Sequence, residues 1–442
     1  MMKPCVLVIA EAANPEWVSV PLVGWSLAMA LREIAQVHLV TQIRNREAIL
    51  RAGLVEGVDF TAIDSEAVAK PVWALGKLLR MGEGKGWTML QAVNALSYPT
   101  FERKIWAEFG PRLRSREFDI VHRVTPLSPT INSRLAAQCA AIGVPFVIGP
   151  LNGGVPWPAA FASARRQERE WLSYLRGAYK LLPGRGRMLA NTAAILVGSR
   201  HTQSEIPPAF LAKTIYLPEN AIDLTRFNRI AKQEPGPLRA CFIGRMVPYK
   251  GPDMLLEAAA PLLRQGRLQI DLIGDGPMLP ALREQVQTEG TQAGVTFHGW
   301  LAHTDVQSVA ARSTVFAFPS IREFGGGVVL EAMALGLVPL IVDYAGPGEL
   351  VTADVGRKVP LGDRATIVAG FRVELEQMAA DPDSLIAMAA AARGRVQAAF
   401  TWSRKARQVA QVYDWVLQHR VEKPDFSADL AGMSPPKDHP DV

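Results

Sequence analysis

Cysteine is scarce in this sequence of 442 residues, and Cys5, Cys139 and Cys241 are scattered without the spacing of a metal site. This scarcity argues against a disulfide framework or a zinc site and fits a reducing compartment. No apolar run approaches the ~18 residues that a membrane-spanning helix needs. The run Cys5–Ala10 is too short for a signal-peptide core and is followed by Glu11 without a cleavage-like site. These features argue against a secreted or integral membrane protein, and we expect a cytoplasmic one.

Long basic runs, zinc-finger spacing and aromatic RNA-binding signatures are also lacking, which disfavours nucleic acid as a partner. The net charge of +6 is nevertheless uneven. Residues 1–200 hold 24 Lys and Arg against 15 Asp and Glu, a balance of +9, together with seven of the ten Trp. An anionic membrane surface or an anionic lipid-linked substrate fits this mixture, and an ordinary solvated basic surface is the alternative. We therefore expect peripheral association with the inner face of a membrane.

Short runs of Val, Ile and Leu alternate with helical periodicity through both halves of the chain, and such runs are typical of strands buried on both faces. The alternation occurs twice, which predicts an α/β protein made of two doubly wound, Rossmann-like domains. We predict an N-terminal domain at 1–205, a C-terminal domain at 206–399, a helix at about 400–420 packing back on the first domain, and a disordered tail at 421–442. The predicted strands are 4–10, 37–43, 119–124, 145–149 and 193–199, then 213–217, 239–245, 269–275, 295–299, 314–319, 338–343 and 357–359.

One stretch does not follow this alternation. Leu75, Leu78 and Leu79 share a helical face that is flanked by Lys77 and Arg80. Such a face can lie on a membrane surface, and it can equally face the core of the domain.

A glycine-rich turn between a buried strand and a helix is the strongest local signal. The sequence from Phe316 to Met333 reads FAFPSIREFGGGVVLEAM. Three glycines without side chains let successive backbone amides approach an anion, and the helix N-terminus adds its positive dipole. Glu323 precedes the turn and Glu331 lies about one helical turn inside, where a carboxylate can accept hydrogen bonds from the hydroxyls of a sugar or ribose. The alternative is a flexible glycine loop beside two surface glutamates.

A second signal follows the predicted strand 239–245, where Gly244 and Arg245 are followed by Lys250 and Gly251. Open α/β sheets bind ligands at the carboxyl ends of their strands. An Arg there can hold a diphosphate through its planar fork, while a Lys acts as a point charge. Together with the glycine-rich turn, this cationic pair favours a nucleoside diphosphate ligand.

These elements, in this order, resemble those of the retaining glycosyltransferases of the GT-B fold, family 4 (glycosyl transferases group 1). The resemblance rests on the E-x7-E element from Glu323 to Glu331 and the G-R-x4-K-G element from Gly244 to Gly251. Supporting segments lie at 218–223, 272–277, 297–300 and 400–402. The resemblance implies two Rossmann-like domains facing a cleft. It also implies transfer of a sugar from a UDP- or GDP-sugar to a glycan or lipid-linked acceptor, as in polysaccharide or glycolipid biosynthesis, with neither metal nor cofactor.

The resemblance also assigns roles to single residues. Arg245 and Lys250 would hold the donor diphosphate and neutralise the charge of the leaving group. Glu331 would bind the ribose hydroxyls and Glu323 those of the transferred sugar, while residues 298–301 would border the base. The further residues expected at the donor are Gly24, Gly244, Gly274, His298, Gly325, Gly326, Gly327 and Val328.

On the acceptor side the candidates are His122, Asn152, Gly153 and Trp157. His122 follows the family's pattern as the first His of an H-x-H element, and we include it among the catalytic candidates; the alternative is a satisfied histidine at a strand end. Val124 stands where the family has its second His, and Trp25 replaces the second Gly of a Gly-Gly pair at Gly24. These departures keep open the alternative of a catalytically silent GT-B protein that binds sugars or nucleotides. A nucleotide-sugar epimerase is a further alternative, which the E-x7-E element disfavours.

Overall fold

The computed structural model describes residues 3–66, 87–153, 155–161, 184–232 and 235–427. They divide into two compact units. Unit 1 contains 3–66, 87–153, 184–219 and 402–427, and unit 2 contains 155–161, 220–232 and 235–401.

Unit 1 is built on a seven-stranded parallel sheet with the order β3-β2-β1-β4-β5-β6-β7. Its strands are β1 Cys5–Ala10, β2 Gln36–Gln42, β3 Phe60–Ile63, β4 Ile120–Thr125, β5 Phe146–Leu151, β6 Ala194–Val197 and β7 Thr214–Tyr216. Its helices are α1 Val20–Leu31, α2 Arg46–Arg51, α3 Trp87–Arg114, α4 Leu135–Ala141, α5 Arg185–Asn191, α6 Arg200–Ser204 and α14 Trp402–Val416.

The core of unit 1 forms because its central strands carry apolar side chains on both faces. Val6, Leu39 and Val147 are fully buried from three different strands, and Val409 and Val412 of α14 pack against the same cluster. Full burial of one such side chain stabilises the fold by roughly 1.5–3 kcal/mol. The last helix therefore completes the core of unit 1, although it follows unit 2 in the chain.

Unit 2 is built on a six-stranded parallel sheet with the order β10-β9-β8-β11-β12-β13. Its strands are β8 Leu238–Ile243, β9 Leu268–Ile273, β10 Val295–Gly299, β11 Val315–Phe318, β12 Val338–Asp343 and β13 Arg357–Pro360. Its helices are α7 Pro252–Arg264, α8 Leu279–Thr288, α9 His303–Ala310, α10 Gly327–Leu335, α11 Ala345–Leu350, α12 Arg364–Ala380 and α13 Ser384–Ala399.

Each sheet reverses its strand order once, between β1 and β4 in unit 1 and between β8 and β11 in unit 2. At such a switch point the loops from two neighbouring strands diverge and leave a crevice at the carboxyl ends, which is where open α/β sheets bind ligands. The two motifs singled out in the sequence follow β8 and β11. The prediction of two doubly wound α/β domains is confirmed.

Several boundaries differ from the predicted ones. The chain divides at 219/220 rather than at 205/206, because β7, which the sequence analysis placed in the second half, pairs with β6 and extends the first sheet. Residues 155–161 group with unit 2 although they directly follow β5. The four-residue strand β3 was not predicted, because its Thr61 and Ala62 give no continuous apolar run.

The predicted tail at 421–442 is described as far as residue 427, and Phe426 is buried in the core of unit 1 instead of being disordered. The remainder of that tail, and the segment with Leu75 and its neighbours, lie outside the described residues.

Candidate active site

Glycine turns line the carboxyl ends of β8, β9 and β10. Gly274 has a φ of +134°, and a Cβ on it would lie 2.0 Å from the carbonyl oxygen of Gly244. The Gly244 amide donates to Ile273 O at 2.9 Å and the Gly274 amide donates to Gly299 O at 2.9 Å. The turns therefore pack backbone against backbone, and only glycine fits at Gly274. The structure thus brings the predicted donor residues Gly244 and Gly274 together.

A half-buried cation and a half-buried carboxylate meet between β8 and β11. Lys250 ends a short 3-10 turn, Pro248–Lys250, and its Nζ donates to Oε2 of Glu323 at 3.1 Å. The ammonium also lies 5.2 Å from the ring centroid of Phe318. Burial lowers the pKa of Lys250, but the charge of Glu323 and, further away, that of Glu331 raise the pKa by more. The net shift is upward, so Lys250 is charged at neutral pH.

Arg245 lies on the same loop as Lys250 and differs from it in exposure. Its side chain is exposed, and within the described ranges it forms no ion pair. An exposed guanidinium without an ion pair keeps its planar group of N–H donors available for an anion. The loop after β8 therefore offers one paired and one unpaired cation.

The helix after β11 begins at the glycine-rich turn. Gly326 precedes α10 with a φ of +63°, and a Cβ on it would lie 2.7 Å from Cδ1 of Leu350. Gly327 and the half-buried Val328 form the first turn, whose amides have no acceptor within the helix. A Cβ on Gly327 would lie 3.4 Å from the side chain of Asn220. The free amides at the start of α10 thus lie at the glycine-rich turn where the sequence predicts an anion.

Glu331, one turn into α10, is held by a residue that the sequence analysis missed. His303 Nε2 lies 2.9 Å from Oε1 of Glu331, and the His303 ring packs edge-on against Phe227 with centroids 5.1 Å apart. One carboxylate oxygen of Glu331 is therefore fixed by the histidine. His303 opens α9 without any motif around it, so the sequence carried no signal for this contact.

His298 is predicted to line the donor site, and its side chain hydrogen-bonds to a residue of the neighbouring strand β9. Its Nε2 lies 2.7 Å from Oδ1 of the buried Asp271, whose Oδ2 accepts from Arg239 at 3.1 Å. The three side chains form a charged cluster across β8, β9 and β10. Two residues further on, Trp300 is 72% exposed, beside the Gly274–Gly299 contact. Of the residues predicted to border the base, Trp300 presents the open ring.

Two predicted site residues of unit 1, Gly24 and His122, pack closely against other parts of the unit. A Cβ on Gly24, inside α1, would lie 2.1 Å from Ala12 O and 3.1 Å from Cγ2 of Thr125, so glycine lets the helix approach the loop after β1. His122 is fully buried in β4. The burial of His122 corrects the expectation that it acts in catalysis, whereas the expectation that Gly24 borders the donor stays a prediction.

Both ring nitrogens of His122 have partners. Nδ1 lies 2.8 Å from the hydroxyl of Tyr413 and Nε2 lies 2.8 Å from Gly149 O. Burial lowers the pKa of His122 to about 4, although the bond to Gly149 opposes this. The histidine is therefore neutral at physiological pH and satisfied, which is the alternative that the sequence left open.

The acceptor-side candidates separate between the two units. In unit 1, Asn152 Nδ2 donates to Oε1 of the buried Glu219 at 2.5 Å, and the Gly153 amide donates to Thr202 Oγ1 at 3.0 Å. Trp157 belongs to unit 2, where it is only 7% exposed and packs on Tyr249 and Arg322. The expected open ring face at Trp157 is therefore covered by protein.

Within the described residues, no group of three or more His, Cys, Asp or Glu has an arrangement that could hold a metal ion. The same part of the chain contains no helix with the length and apolarity that crossing a bilayer requires.

In chemical terms, unit 2 gathers at one switch point two cations, the amide end of a helix and two glutamates. This set suits an anion with two negative groups joined to a hydroxyl-bearing moiety, at the position where open α/β sheets bind ligands. Residues 225–413 match the family model described as glycosyl transferases group 1. This match bears out the resemblance to group 1 glycosyltransferases seen in the E-x7-E and G-R-x4-K-G elements.

Known proteins agree with this assignment. The D-inositol 3-phosphate glycosyltransferase of Gordonia bronchialis is 30% identical over 206 residues, which is 44% of this chain and 44% of that protein. The matched part of the chain spans less than half the length of these curated relatives. HepE of Anabaena in complex with UDP superposes with a TM-score of 0.60 at 16% identity, covering 93% of this chain and 99% of HepE. A glycosyltransferase from Rickettsia africae gives 0.61 at 14% identity, covering 95% and 100%. At these identities the solved structures establish the fold, which is that of GT-B proteins.

Proposed function

We propose that the protein is a retaining glycosyltransferase that moves a sugar from a nucleotide diphosphate sugar to a glycan or lipid-linked acceptor. The observation that carries this proposal is the Lys250–Glu323 pair, 3.1 Å apart, beside the glycine-started helix α10 at the switch point of unit 2. The match of residues 225–413 to group 1 glycosyltransferases supports it.

In this proposal the cations act on the diphosphate. Arg245 and Lys250, with the first amides of α10, neutralise the charge that grows on the diphosphate as it leaves. Glu331 accepts hydrogen bonds from the ribose hydroxyls through the carboxylate oxygen that His303 does not occupy. Glu323 accepts them from the transferred sugar. Lys250 then exchanges part of its contact with Glu323 for the phosphate.

The reaction breaks the bond between the anomeric carbon and the diphosphate oxygen. A bond to the acceptor oxygen forms on the same face of the sugar, and the proton of the acceptor hydroxyl leaves with the nucleoside diphosphate. The family's usual retaining reaction uses no enzyme nucleophile, so the assignment of roles in unit 2 needs no further side chain for this step. We further propose that the reaction uses neither a metal nor a cofactor.

A ligand screen tests the proposal. UDP is the first probe, because HepE was crystallised with UDP, and GDP and ADP follow. A nucleotide at 100 times its dissociation constant stabilises the folded protein by about 2.7 kcal/mol, which a thermal shift assay detects. The matching sugar nucleotides are then incubated without acceptor, and slow hydrolysis that persists in EDTA is expected. Release of the sugar with its anomeric configuration kept, followed by NMR, supports retention; inversion contradicts it.

A second candidate function is a catalytically silent protein that binds sugars or nucleotides. It is favoured by β4, where Val124 replaces the family's histidine and His122 is turned into the core. Nucleotide binding without any hydrolysis of the bound sugar nucleotide distinguishes this candidate from the enzyme.

A further inference from the structure

A cluster of aromatic and cationic side chains in unit 2 surrounds Trp157. The ring centroids of Trp157 and Tyr249 lie 5.9 Å apart and are nearly perpendicular. The guanidinium carbon of Arg322 lies 5.1 Å from the Trp157 ring centroid on one side and 5.3 Å from that of Phe324 on the other. Arg322 is thus a buried cation placed between two aromatic rings, an arrangement that stabilises a cation away from water.

The same segment is held through its backbone. Nε of Arg322 donates to Val155 O at 3.3 Å, and the hydroxyl of Tyr344 donates to Pro156 O at 3.0 Å. Side chains from the loops after β11 and β12 therefore donate hydrogen bonds to two successive carbonyl oxygens just before Trp157. These bonds fix where the indole ring sits within unit 2.

The two residues that contact the Trp157 ring each precede a residue of the proposed donor site. Tyr249 precedes Lys250, and Arg322 precedes Glu323. The two loops are also joined by their backbones, since the amide of Ile321 donates to Tyr249 O at 2.9 Å. The Trp157 ring packs against one side chain from each of these two loops, Tyr249 and Arg322.

We propose that Trp157 is a positioning residue for the Lys250–Glu323 pair, acting through Tyr249 and Arg322. The proposal rests on the proposed function, because it assumes that this pair serves the transfer reaction. A rigid indole fills the space between the two loops and keeps the ammonium and the carboxylate in register. Displacement of reacting groups by about 1 Å can cost on the order of 10²-fold in rate, so a modest shift of either loop has a large effect.

This role separates turnover from binding. In the proposed site the ribose is bound by Glu331 and the diphosphate also by Arg245 and the amides of α10, while Lys250 acts mainly on the charge that grows as the diphosphate leaves. We therefore expect affinity for a bare nucleoside diphosphate to depend little on the indole. Turnover depends on the register of Lys250 and Glu323. We therefore expect Trp157→Leu to lower kcat for sugar-nucleotide hydrolysis by about tenfold or more, with UDP affinity changed by less than about threefold.

A matched control lies in the same segment. Phe161 is as buried as Trp157, at 7% exposure, and within the described residues its ring neither stacks on Tyr249 nor lies under the guanidinium of Arg322. Phe161→Leu also removes a buried aromatic ring, so it reports the effect of a packing defect alone. Its kcat is expected to stay near the wild-type value, and equal losses in the two variants would overturn the proposal.

Arg322→Lys provides a second route that keeps the charge but loses the planar group between the rings. It is expected to show the same fall in kcat, and to decide the matter if Trp157→Leu does not fold. When both single variants fold, the double variant should be little worse than either one, because both break the same contact. Fully additive losses contradict the proposal.

The outcomes also separate the two levels of inference. A wild-type protein that binds no nucleoside diphosphate and cleaves no sugar nucleotide removes the proposed function and this inference with it. Wild-type turnover that persists unchanged in Trp157→Leu and in Arg322→Lys removes this inference alone.

Discussion

Single side chains determine what the crevice of unit 2 can hold, and the two cations after β8 are the first to test. Arg245→Ala or Lys250→Ala is expected to nearly abolish sugar transfer without unfolding the protein. Each removes a positive charge that offsets the leaving diphosphate, a contribution of several kcal/mol to the transition state. Steady-state kinetics and circular dichroism measure the two effects.

Arg267→Ala is the control for the loss of an exposed cation. Arg267 is exposed at the opposite, amino end of β9, and among the described residues its guanidinium hydrogen-bonds only to the side chain of Gln265. Its turnover should match that of the wild type. Wild-type turnover in Arg245→Ala or Lys250→Ala would remove that residue from the phosphate site.

The two glutamates should separate nucleotide binding from turnover. Glu331→Ala is expected to weaken UDP binding by about tenfold, because a charged hydrogen bond contributes roughly 1.5–3 kcal/mol. Glu323→Ala should leave UDP affinity largely intact and reduce turnover, since its partner is the sugar. Calorimetry with UDP, paired with kinetics, compares them. The reverse ordering would show that the ribose and sugar assignments are exchanged.

Trp300 is expected to stack on the nucleobase of the donor. Its ring is 72% exposed at the carboxyl edge of β10, and stacking of a base on an aromatic ring contributes about 1–3 kcal/mol. Trp300→Ala should therefore weaken UDP binding at least about fivefold, measured by calorimetry. Trp17→Ala, which removes a 44% exposed indole from unit 1, should leave the affinity unchanged. Equal affinities of the wild type and Trp300→Ala would place the base elsewhere.

At the scale of elements, one hydrogen bond links a strand to the last helix of unit 1. His122 of β4 and Tyr413 of α14 are both buried, and burial lowers the pKa of His122 to about 4 from an ordinary value of 6.5. As the pH falls below 6.5, the unfolded chain binds a proton that the folded protein does not. The histidine's stability contribution is therefore present above pH 6.5 and is lost as the pH falls toward 4.

This pKa difference predicts a pH-dependent stability. The wild type should lose up to about 3 kcal/mol between pH 6.5 and 4 through this one residue. The melting temperature of His122→Gln should be lower than that of the wild type at pH 7, because Tyr413 and Gly149 lose a partner. Its melting temperature should then fall less steeply on acidification. Parallel curves for the two proteins would show that His122 does not control the transition.

Elements were predictable where their composition was uniform. The helix expected after the glycine-rich turn is α10, since the turn marks its start and Gly336 follows its end. The strands of unit 2 agree within a few residues, because continuous apolar runs have one buried arrangement in a parallel sheet. β7 was predicted as a strand but assigned to the wrong half, because a three-residue strand carries no information about which sheet it joins.

For the whole molecule, the uneven charge predicts reversible binding to anionic membranes. Residues 1–200 carry a balance of +9 and seven Trp. Each basic residue near an anionic surface contributes about 1 kcal/mol, and the attraction fades beyond a Debye length of about 8 Å. Sedimentation with phosphatidylserine vesicles at low and high salt measures it, with phosphatidylcholine vesicles as the control. Binding that is equal on both lipids, or that does not change with salt, contradicts the electrostatic account.

The sequence by itself determined the fold class and the candidate site of unit 2. Its cations, glycines and glutamates lie in short continuous motifs directly after strands, and parallel strands bring their carboxyl ends to one edge of a sheet. Adjacency in the chain therefore becomes adjacency in space without any knowledge of distant contacts. Lys250 and Glu323 follow strands that neighbour each other at the switch point, so both could be placed at one site, whereas the contact between their side chains was seen only in the structure.

Only the tertiary structure decided the roles of His122 and Trp157. The partner of His122 lies 291 residues away in the chain, and Arg322, which grips the segment of Trp157, lies 167 residues from Val155. The local sequence around a histidine in a strand does not differ according to whether the side chain faces a substrate or a buried tyrosine. Likewise, the sequence around a tryptophan after a strand does not show whether its ring is exposed or covered. The actual environment of each side chain depends on packing between segments that are remote in the chain, and the local residue pattern does not encode that packing.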